Sequence, residues 1–296
     1  MKKILVLLAA VLLPAGLLSA QPAFYQETLH KQAPAVPKYV VFAGDTIRFD
    51  RHDLYERMDR ELIAFTYMHS NSVLMLRRSK RIFSLVVPIL KRNGIPEDLK
   101  YLMAIESNLD PKALSTAGAA GLWQFMKGTA QELGLEVDGE VDERYHIEKE
   151  TEAACRYLKN AYARYGDWLT VAASYNAGQG GISRRRAEQK QQSALDLWMP
   201  EETSRYIFRI LAAKRFFMNP ASFGFESAVK ERYPEIPVRE IVTVSGPVES
   251  WADFAIEHGT SYYQLRMANL WIRDLKLTNK KNLLYRVIIP DDARKE

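Results

Sequence analysis

One glutamate stands where a core residue belongs. Leu99, Leu102 and Met103 recur at i, i+3 and i+4, the stripe that a helix turns toward a core, and the i+7 position of that stripe is Glu106. Ala104 and Ile105 beside it are apolar as well. Desolvation disfavours the charged form of a carboxyl and raises its pKa. A carboxylic acid that keeps its proton near neutral pH has the property a general acid needs to cleave a glycosidic bond. A helix-end glutamate that is solvated or paired with a lysine satisfies the same spacing, because buried acids are rare and amphipathic stripes imperfect. Spacing alone leaves both readings open.

The residues that follow add chemistry. Glu106-Ser107 runs into Asn108-Leu109-Asp110-Pro111 and then into Ser115-Thr116-Ala117-Gly118-Ala119-Ala120-Gly121-Leu122-Trp123-Gln124-Phe125-Met126. Small residues there let backbone approach a ligand closely. Trp123 offers an aromatic face, and Gln124 offers both a donor and an acceptor. Downstream, Ala173-Ser174-Tyr175-Asn176-Ala177-Gly178 places a tyrosine and an amide beside a glycine that ends a helix. A carboxylic acid, two amides and several aromatics are the components of a sugar-polymer cleft. Asp110 is the nearest alternative second acid, but Pro111 and the surrounding composition make it a turn residue.

Helices must position these groups. Periodicity begins near Asp53, with Leu54, Met58, Leu62 and Phe65 on one stripe; a second helix over about 70–92 carries Leu76, Ile82, Val86 and Ile89. Asn93-Gly94 ends it. Pro96-Glu97-Asp98 opens the helix over 96–107 that carries Glu106, with proline early and acids in the first turn. Later helices are expected over about 128–134, 151–165, 168–175 and 201–218, with Gly166 closing one and Asp167 capping its successor. Residues 21–46, with Pro22, Pro34 and Pro37, read as an extended leader. Strand signals are nearly absent before Ile241-Val242-Thr243-Val244 and Leu284-Tyr285-Arg286-Val287-Ile288-Ile289, which bracket two short helical patterns. That β-α-α-β order, over about 236–292, reads as a small module separate from the helical body, with Pro234 and Pro237 at the joint. The expected fold class is mainly α, followed by this module.

Composition bounds the partners. The 296 residues are 47% apolar and 26% charged, the balance of a globular chain with one large domain or two unequal ones. The single cysteine, Cys155, excludes an intrachain disulfide framework and a cysteine-cluster zinc site. It falls among Ala153, Ala154 and Leu158, which predicts a buried, inert thiol. Lys2-Lys3, an apolar run from Ile4 to Leu18 and Ser19-Ala20-Gln21 read as a secretory signal peptide over 1–20, cleaved after Ala20. The run is too short and too interrupted for a transmembrane anchor, so none is expected in the mature chain. Without Lys2 and Lys3, 39 basic side chains face 36 acidic ones. That +3 is too mild for nucleic acid and suits loose attraction to an acidic polymer.

Weaker signals point away from cofactors. Asp138, Glu140 and Asp142 alternate as calcium ligands do, but position six of such a loop is Glu143, where the turn needs glycine. The histidines His30, His52, His69, His146 and His258 show no paired ligand spacing. No metal and no cofactor are expected. Arg184-Arg185-Arg186 with Lys190 is a charge run, read as a solvated face or as a contact for acidic peptide stems.

The blocks Glu106-Ser107, Gly121-Leu122-Trp123-Gln124 and Ser174-Tyr175-Asn176-Ala177-Gly178, in that order, resemble the signature of the soluble-lytic-transglycosylase-type lysozyme-like domain. Gly94-Ile95-Pro96-Glu97-Asp98-Leu99, Val141-Asp142-Glu143-Arg144 and Met199-Pro200-Glu201-Glu202-Thr203 resemble the D-type membrane-bound lytic murein transglycosylases in particular. The resemblance implies a lysozyme-like catalytic domain over 47–225 acting on peptidoglycan glycan strands, in the periplasm or at the cell wall or outer membrane. It implies Glu106 as the single acid/base, Ser107 near the N-acetyl group, and Gln124 with the backbone at Gly121 positioning the sugar. Trp123 would contact substrate, Asn176 would be structural or ligand-contacting, Tyr175 would orient Glu106, and Tyr206 would line the cleft. It also implies a LysM-like C-terminal module, for which a buttressing role is the alternative. The competing functions are a hydrolytic muramidase and a binding protein without turnover.

Overall fold

The computed structural model describes residues 32–291, apart from the side chain of Ser227. The expected signal peptide over 1–20 and residues 21–31 of the expected leader lie outside the described residues.

The last part of that leader is a hairpin. Strands β1 (Tyr39–Phe42) and β2 (Asp45–Arg48) pair antiparallel, with Val40 opposite Ile47. Val40, Phe42 and Ile47 point inward while Tyr39, Val41 and Thr46 face water. This corrects the extended reading of 21–46: the period-two alternation is present, but four-residue strands offer too few repeats to stand out from proline-rich surroundings. At the turn, Ala43 N–H donates to Asp98 Oδ2 at 2.7 Å, and the Lys214 ammonium reaches the same oxygen at 2.7 Å. The hairpin is thereby pinned to the segment that leads into the Glu106 helix.

The helical body follows the predicted stripes. Helix α1 (His52–Tyr67) buries Leu54, Met58, Leu62 and Phe65, and α2 (His69–Arg92) buries Leu76, Ile82, Val86 and Ile89. The helix expected over 96–107 opens as a 3-10 turn, Glu97–Leu99, and becomes α3 at Lys100–Ser107. Helix α4 is Lys127–Glu132 and α5 is Ile147–Tyr165. Gly166 closes α5 in the left-handed region at φ 76°, and Asp167 caps α6 (Trp168–Ala177) by accepting Thr170 N–H at 2.7 Å. Residues 168–174 are buried on every face, which makes α6 an internal helix.

Helix α7 (Gln179–Gln189) was not anticipated. Ile182 is its one buried residue among those described, so it carries no stripe to read. The Tyr165 hydroxyl holds it in place by donating to the Gln179 carbonyl at 2.5 Å.

Helix α8 (Glu201–Met218) packs against α1, α3 and α6. At its end Phe216 meets Phe65, Phe223 and Phe225 with ring centroids 5.3–5.5 Å apart. Burying a ring of this size stabilises a fold by about 1.5–3 kcal/mol. Short helix α9 (Glu226–Lys230) completes the body. No helix among the described residues is long and apolar enough to cross a membrane.

The C-terminal module has the expected order: β3 (Val238–Val244), α10 (Trp251–Glu257), α11 (Tyr262–Ala268) and β4 (Tyr285–Pro290). The strands pair antiparallel with Val242 opposite Val287. Ser261 and Gln264 form a reciprocal capping box at the start of α11. Asn269, 1% exposed, matches the edge of β4 with its side-chain amide, donating to Ile288 O at 2.7 Å and accepting Ile288 N–H at 2.8 Å.

The module keeps a core of its own yet is docked on the body, and both lie in one compact unit. Val141, from the loop between α4 and α5, is part of the module's core with Trp251, Trp271, Ile272 and Val287. Asp142 N–H donates to Trp271 O at 2.9 Å, and Arg273 N–H to Glu140 O at 2.8 Å. The Tyr285 hydroxyl donates to Glu136 Oε2 at 2.7 Å, while Thr278 N–H donates to Glu140 Oε2 at 2.7 Å. The acids once considered as an alternating ligand set thus point three ways: Asp138 caps its own turn, Glu140 reaches the module and Asp142 pairs with Arg144.

Candidate active site

Helix α3 presents Glu106 from a buried rod. Tyr101, Leu102, Met103, Ala104 and Ile105 are all buried, and Glu106 is the residue of the last turn that keeps a partly exposed edge. Asn108 and Leu109 both adopt positive φ, 52° and 55°, so the chain reverses at once after the glutamate. Arg78 holds that reversal, donating to Asn108 O at 3.1 Å and to Asp110 Oδ2 at 2.9 Å. Asp110 Oδ1 accepts Lys112 N–H at 2.9 Å, the turn role its composition predicted.

The group on the Glu106 carboxyl is Tyr206, whose hydroxyl donates to Oε1 at 2.5 Å. Tyr175, expected in that role, instead donates to Trp123 O at 2.6 Å. Its phenol still lies within the electrostatic reach of Glu106. The correction is geometric: α8 crosses α3 directly and delivers Tyr206, while α6 aims Tyr175 at the loop that follows α3. Burial pushes the Glu106 pKa up, opposed by the Tyr206 hydrogen bond and the Arg209 charge and assisted by Glu202. Burial also pushes both Tyr206 and Tyr175 well up, so both phenols remain donors.

The loop over 113–125 is built inward. A Cβ at Gly121 (φ +80°) would sit 1.7 Å from the Arg144 carbonyl oxygen and 2.5 Å from Glu150 Oε2. Its N–H donates to Ala113 O at 3.0 Å, and its carbonyl accepts Gln124 Nε2 at 2.7 Å. Gly121 is therefore required for close packing against the Arg144 strand of chain, a different task from the substrate contact expected of it. Trp123 is 0% exposed, with its indole N–H donating to Thr151 Oγ1 at 3.0 Å. It offers no aromatic face to a ligand, because the loop folds its side chain into the core. Gln124, at φ +50°, uses its amide N–H groups on Gly121 O and Ala113 O.

Ser107 is buried, and its Oγ donates to Met103 O at 3.2 Å. Asn176 bridges α6 to α8: its Oδ1 accepts the Thr203 hydroxyl at 2.8 Å, and its Nδ2 lies 3.4 Å from Glu202 Oε1. Beside Glu106's chain neighbours Ile105 and Asn108 opens a cleft of about 470 Å³, which Glu202, Arg205 and Arg209 also line.

Three residues escaped the sequence reading. Glu150, fully buried, accepts Trp123 N–H at 3.2 Å and has its pKa pushed well up by burial. Arg144 threads the same loop, donating to Gly118 O, Phe125 O and Asp142. Arg209 lies near the Glu106 charge. The only advance signal was the acid at the start of α5 and the Arg144 block; no spacing linked either to Gly121. Cys155 is buried, as expected, and burial pushes its thiol up to about 12.

The chain that builds this arrangement has relatives by sequence. Residues 88–197 match the transglycosylase SLT domain. The helical body carries an SLT domain. Residues 240–293 match the soluble lytic transglycosylase C-terminal LysM-like domain, in agreement with the β-α-α-β order. The chain is 28% identical over 240 residues to membrane-bound lytic murein transglycosylase D of Escherichia coli strain K12, covering 78% of this chain and 51% of that protein. It is also 28% identical over 227 residues to membrane-bound lytic murein transglycosylase F of Marinobacter nauticus, covering 72% and 41%. The chain thus spans about half the length of the curated relatives it matches, or less. A crystal structure of an inactive mutant of lytic transglycosylase Slt from Pseudomonas aeruginosa aligns at TM-score 0.39 and 21% identity, covering 51% of this chain and 26% of that one.

Glu106, Gly121, Gln124, Glu150 and Tyr175 fall inside the SLT segment, whereas Tyr206 and Arg209 fall beyond its end. Glu106 therefore takes its hydrogen-bond donor from a helix outside the matched residues.

Proposed function

We propose that this chain is a peptidoglycan lytic transglycosylase, with Glu106 acting first as acid and then as base. The observation that carries the reading is one desolvated acid with the Tyr206 hydroxyl on its carboxyl; among the described residues the other acid that burial pushes up, Glu150, is spent inside the core on the Trp123 N–H. Glu106 is driven toward its neutral form by burial, while the carboxylates that line the cleft are engaged: Glu61 by Arg205 at 2.6 Å, Glu201 by Arg60, and Glu202 beside the Asn176 amide. Enzymes that hydrolyse glycosides usually use two carboxyl groups in fixed separation. A lytic transglycosylase needs one.

In this mechanism protonated Glu106 gives its proton to the glycosidic oxygen between N-acetylmuramic acid and N-acetylglucosamine as the bond from that oxygen to muramic C1 breaks. The N-acetyl oxygen of the substrate stabilises the positive charge at C1. The C6 hydroxyl of the same sugar then bonds to C1 and returns its proton to the Glu106 carboxylate. The product is a 1,6-anhydromuramoyl end, no water is consumed and the acid is regenerated. Tyr206 holds the carboxyl in place through both steps; Gln124 Oε1, the Ser107 lone pairs and Asn176 are the groups assigned to the sugar. The LysM-like module is assigned to wall binding or support. Export to the periplasm rests on the N-terminal pattern, and the relatives named membrane-bound fit a location at the wall or outer membrane.

Glu202 on the same cleft favours hydrolysis as the second reading, with Glu202 activating water. Digestion of purified sacculi followed by mass spectrometry separates the two: anhydro ends support the transglycosylase, reducing ends the muramidase. No release of either, with retention on sacculi, identifies a binding protein.

A further inference from the structure

The arginine run and the indole that follows it form a feature the proposed chemistry does not use. Trp198 is 86% exposed, yet it is not loose. The Gln189 side chain clamps its backbone on both sides, accepting Trp198 N–H at 2.7 Å and donating to Trp198 O at 2.9 Å. The pairing copies a strand ladder and fixes the backbone from which the exposed indole projects. A groove of about 390 Å³ lies against it, lined also by Arg184, Arg185, Glu188 and Met199-Pro200.

The three arginines differ. Arg186 is turned to Gln192 and lies over the Tyr165 ring, and Arg185 donates to Gly181 O at 3.1 Å. No hydrogen bond or ion pair among the described residues holds the Arg184 guanidinium. The groove therefore joins an exposed apolar plane to a guanidinium that is free to grip an anion, with a carboxylate, Glu188, beside them. Two guanidinium groups against one carboxylate leave it net positive.

Its place in the chain gives the groove its occupant. Trp198 precedes Glu202, a lining residue of the cleft, by four residues, and four extended residues span at most roughly 14 Å. A strand of linked sugars that left the cleft on this side would come within reach of this surface. Aromatic rings cover the apolar faces of sugars while placed polar groups fix orientation, and guanidinium binds carboxylate in a bidentate fork. Resting on the transglycosylase reading, we propose that Trp198, Arg184 and Arg185 form an accessory subsite for the glycan strand. A sugar ring covers the indole, and a carboxylate of the attached stem peptide meets the arginines. Backbone already held by Gln189 need not be ordered on binding, which favours affinity.

The test uses the full chain and two forms of one substrate: glycan strands bearing stem peptides, and the same strands after an amidase has removed the peptides. Trp198→Ala is expected to raise KM on both forms by about tenfold, with the loss carried by KM and not by kcat. Arg184→Gln with Arg185→Gln is expected to raise KM only on the peptide-bearing form. Retention on sacculi, measured in a Glu106→Gln background so that turnover plays no part, should fall for both variants. Circular dichroism verifies the fold, which these surface changes leave intact. Unchanged KM and unchanged retention for Trp198→Ala would overturn the subsite. An equal effect of the arginine changes on both strand forms would overturn the peptide contact and leave a sugar-only site. Absence of anhydro ends from the unmodified chain, with retention still sensitive to Trp198, would sink the reaction reading and not this one.

Discussion

Tyr206 and Glu106 lie one hundred residues apart and share a 2.5 Å hydrogen bond from phenol to carboxyl. That bond opposes the burial that raises the Glu106 pKa, so the acid stands between two influences: desolvation keeps its proton on, and Tyr206 stabilises the carboxylate left when the proton departs. A group that must donate and then retrieve a proton is served by both.

Tyr206→Phe removes one side of that balance. The Glu106 pKa should rise further, moving the alkaline limb of the pH profile of kcat/KM upward. Loss of a hydrogen bond to a charged group, about 1.5–3 kcal/mol, should lower kcat by roughly ten- to a hundredfold. A pH–rate series on soluble strands measures both, and an unmoved limb would contradict the role assigned to the phenol.

Glu106→Gln should abolish turnover and raise stability at neutral pH. The wild-type carboxyl has a folded pKa above the ~4.3 of a free glutamate. Its contribution to stability is therefore full below that unfolded value and is lost as pH rises through the folded pKa. The amide carries no such loss. Thermal melts at several pH values should show the mutant's advantage at neutral pH shrinking toward zero in acid; an advantage that is constant with pH would refute the buried-acid argument.

Gly121→Ala tests the inward packing of the loop. The added methyl meets the Arg144 carbonyl at 1.7 Å on a residue held at φ +80°. Backbone has to move, at a cost of roughly 3 kcal/mol. The thermal midpoint should fall and activity with it, because Gln124 and the Trp123 carbonyl that receives Tyr175 lie on the same loop. A neutral melting result would show that the loop yields at no cost.

Val141→Asp tests the docking of the module. Val141 is 1% exposed inside the module's core, and an unpaired carboxylate there should cost about 3 kcal/mol or more. Hydrogen exchange should accelerate in β3, β4 and the 133–145 loop together. Acceleration in the loop alone would mean that the module holds its core without the body.

Local order along the chain was legible from residues alone. The stripe through Leu99, Leu102 and Met103 located Glu106, the stripes of α1 and α2 gave their buried faces, Gly166 and Asp167 marked a helix junction, and two β-branched runs around two short helices gave the module. Each depends on a period of two or 3.6 residues or on a capping residue, and such signals are written within a few turns of chain. What tertiary structure alone decided is which groups meet. Tyr206, rather than Tyr175, reaches Glu106 because α8 crosses α3; Trp123 is core because Glu150 and Thr151 of α5 capture its N–H groups; and the module docks because one valine of a distant loop fills its core. These contacts join residues whose spacing has no period, so their energies depend on how helices cross, and no local pattern of residues encodes a crossing.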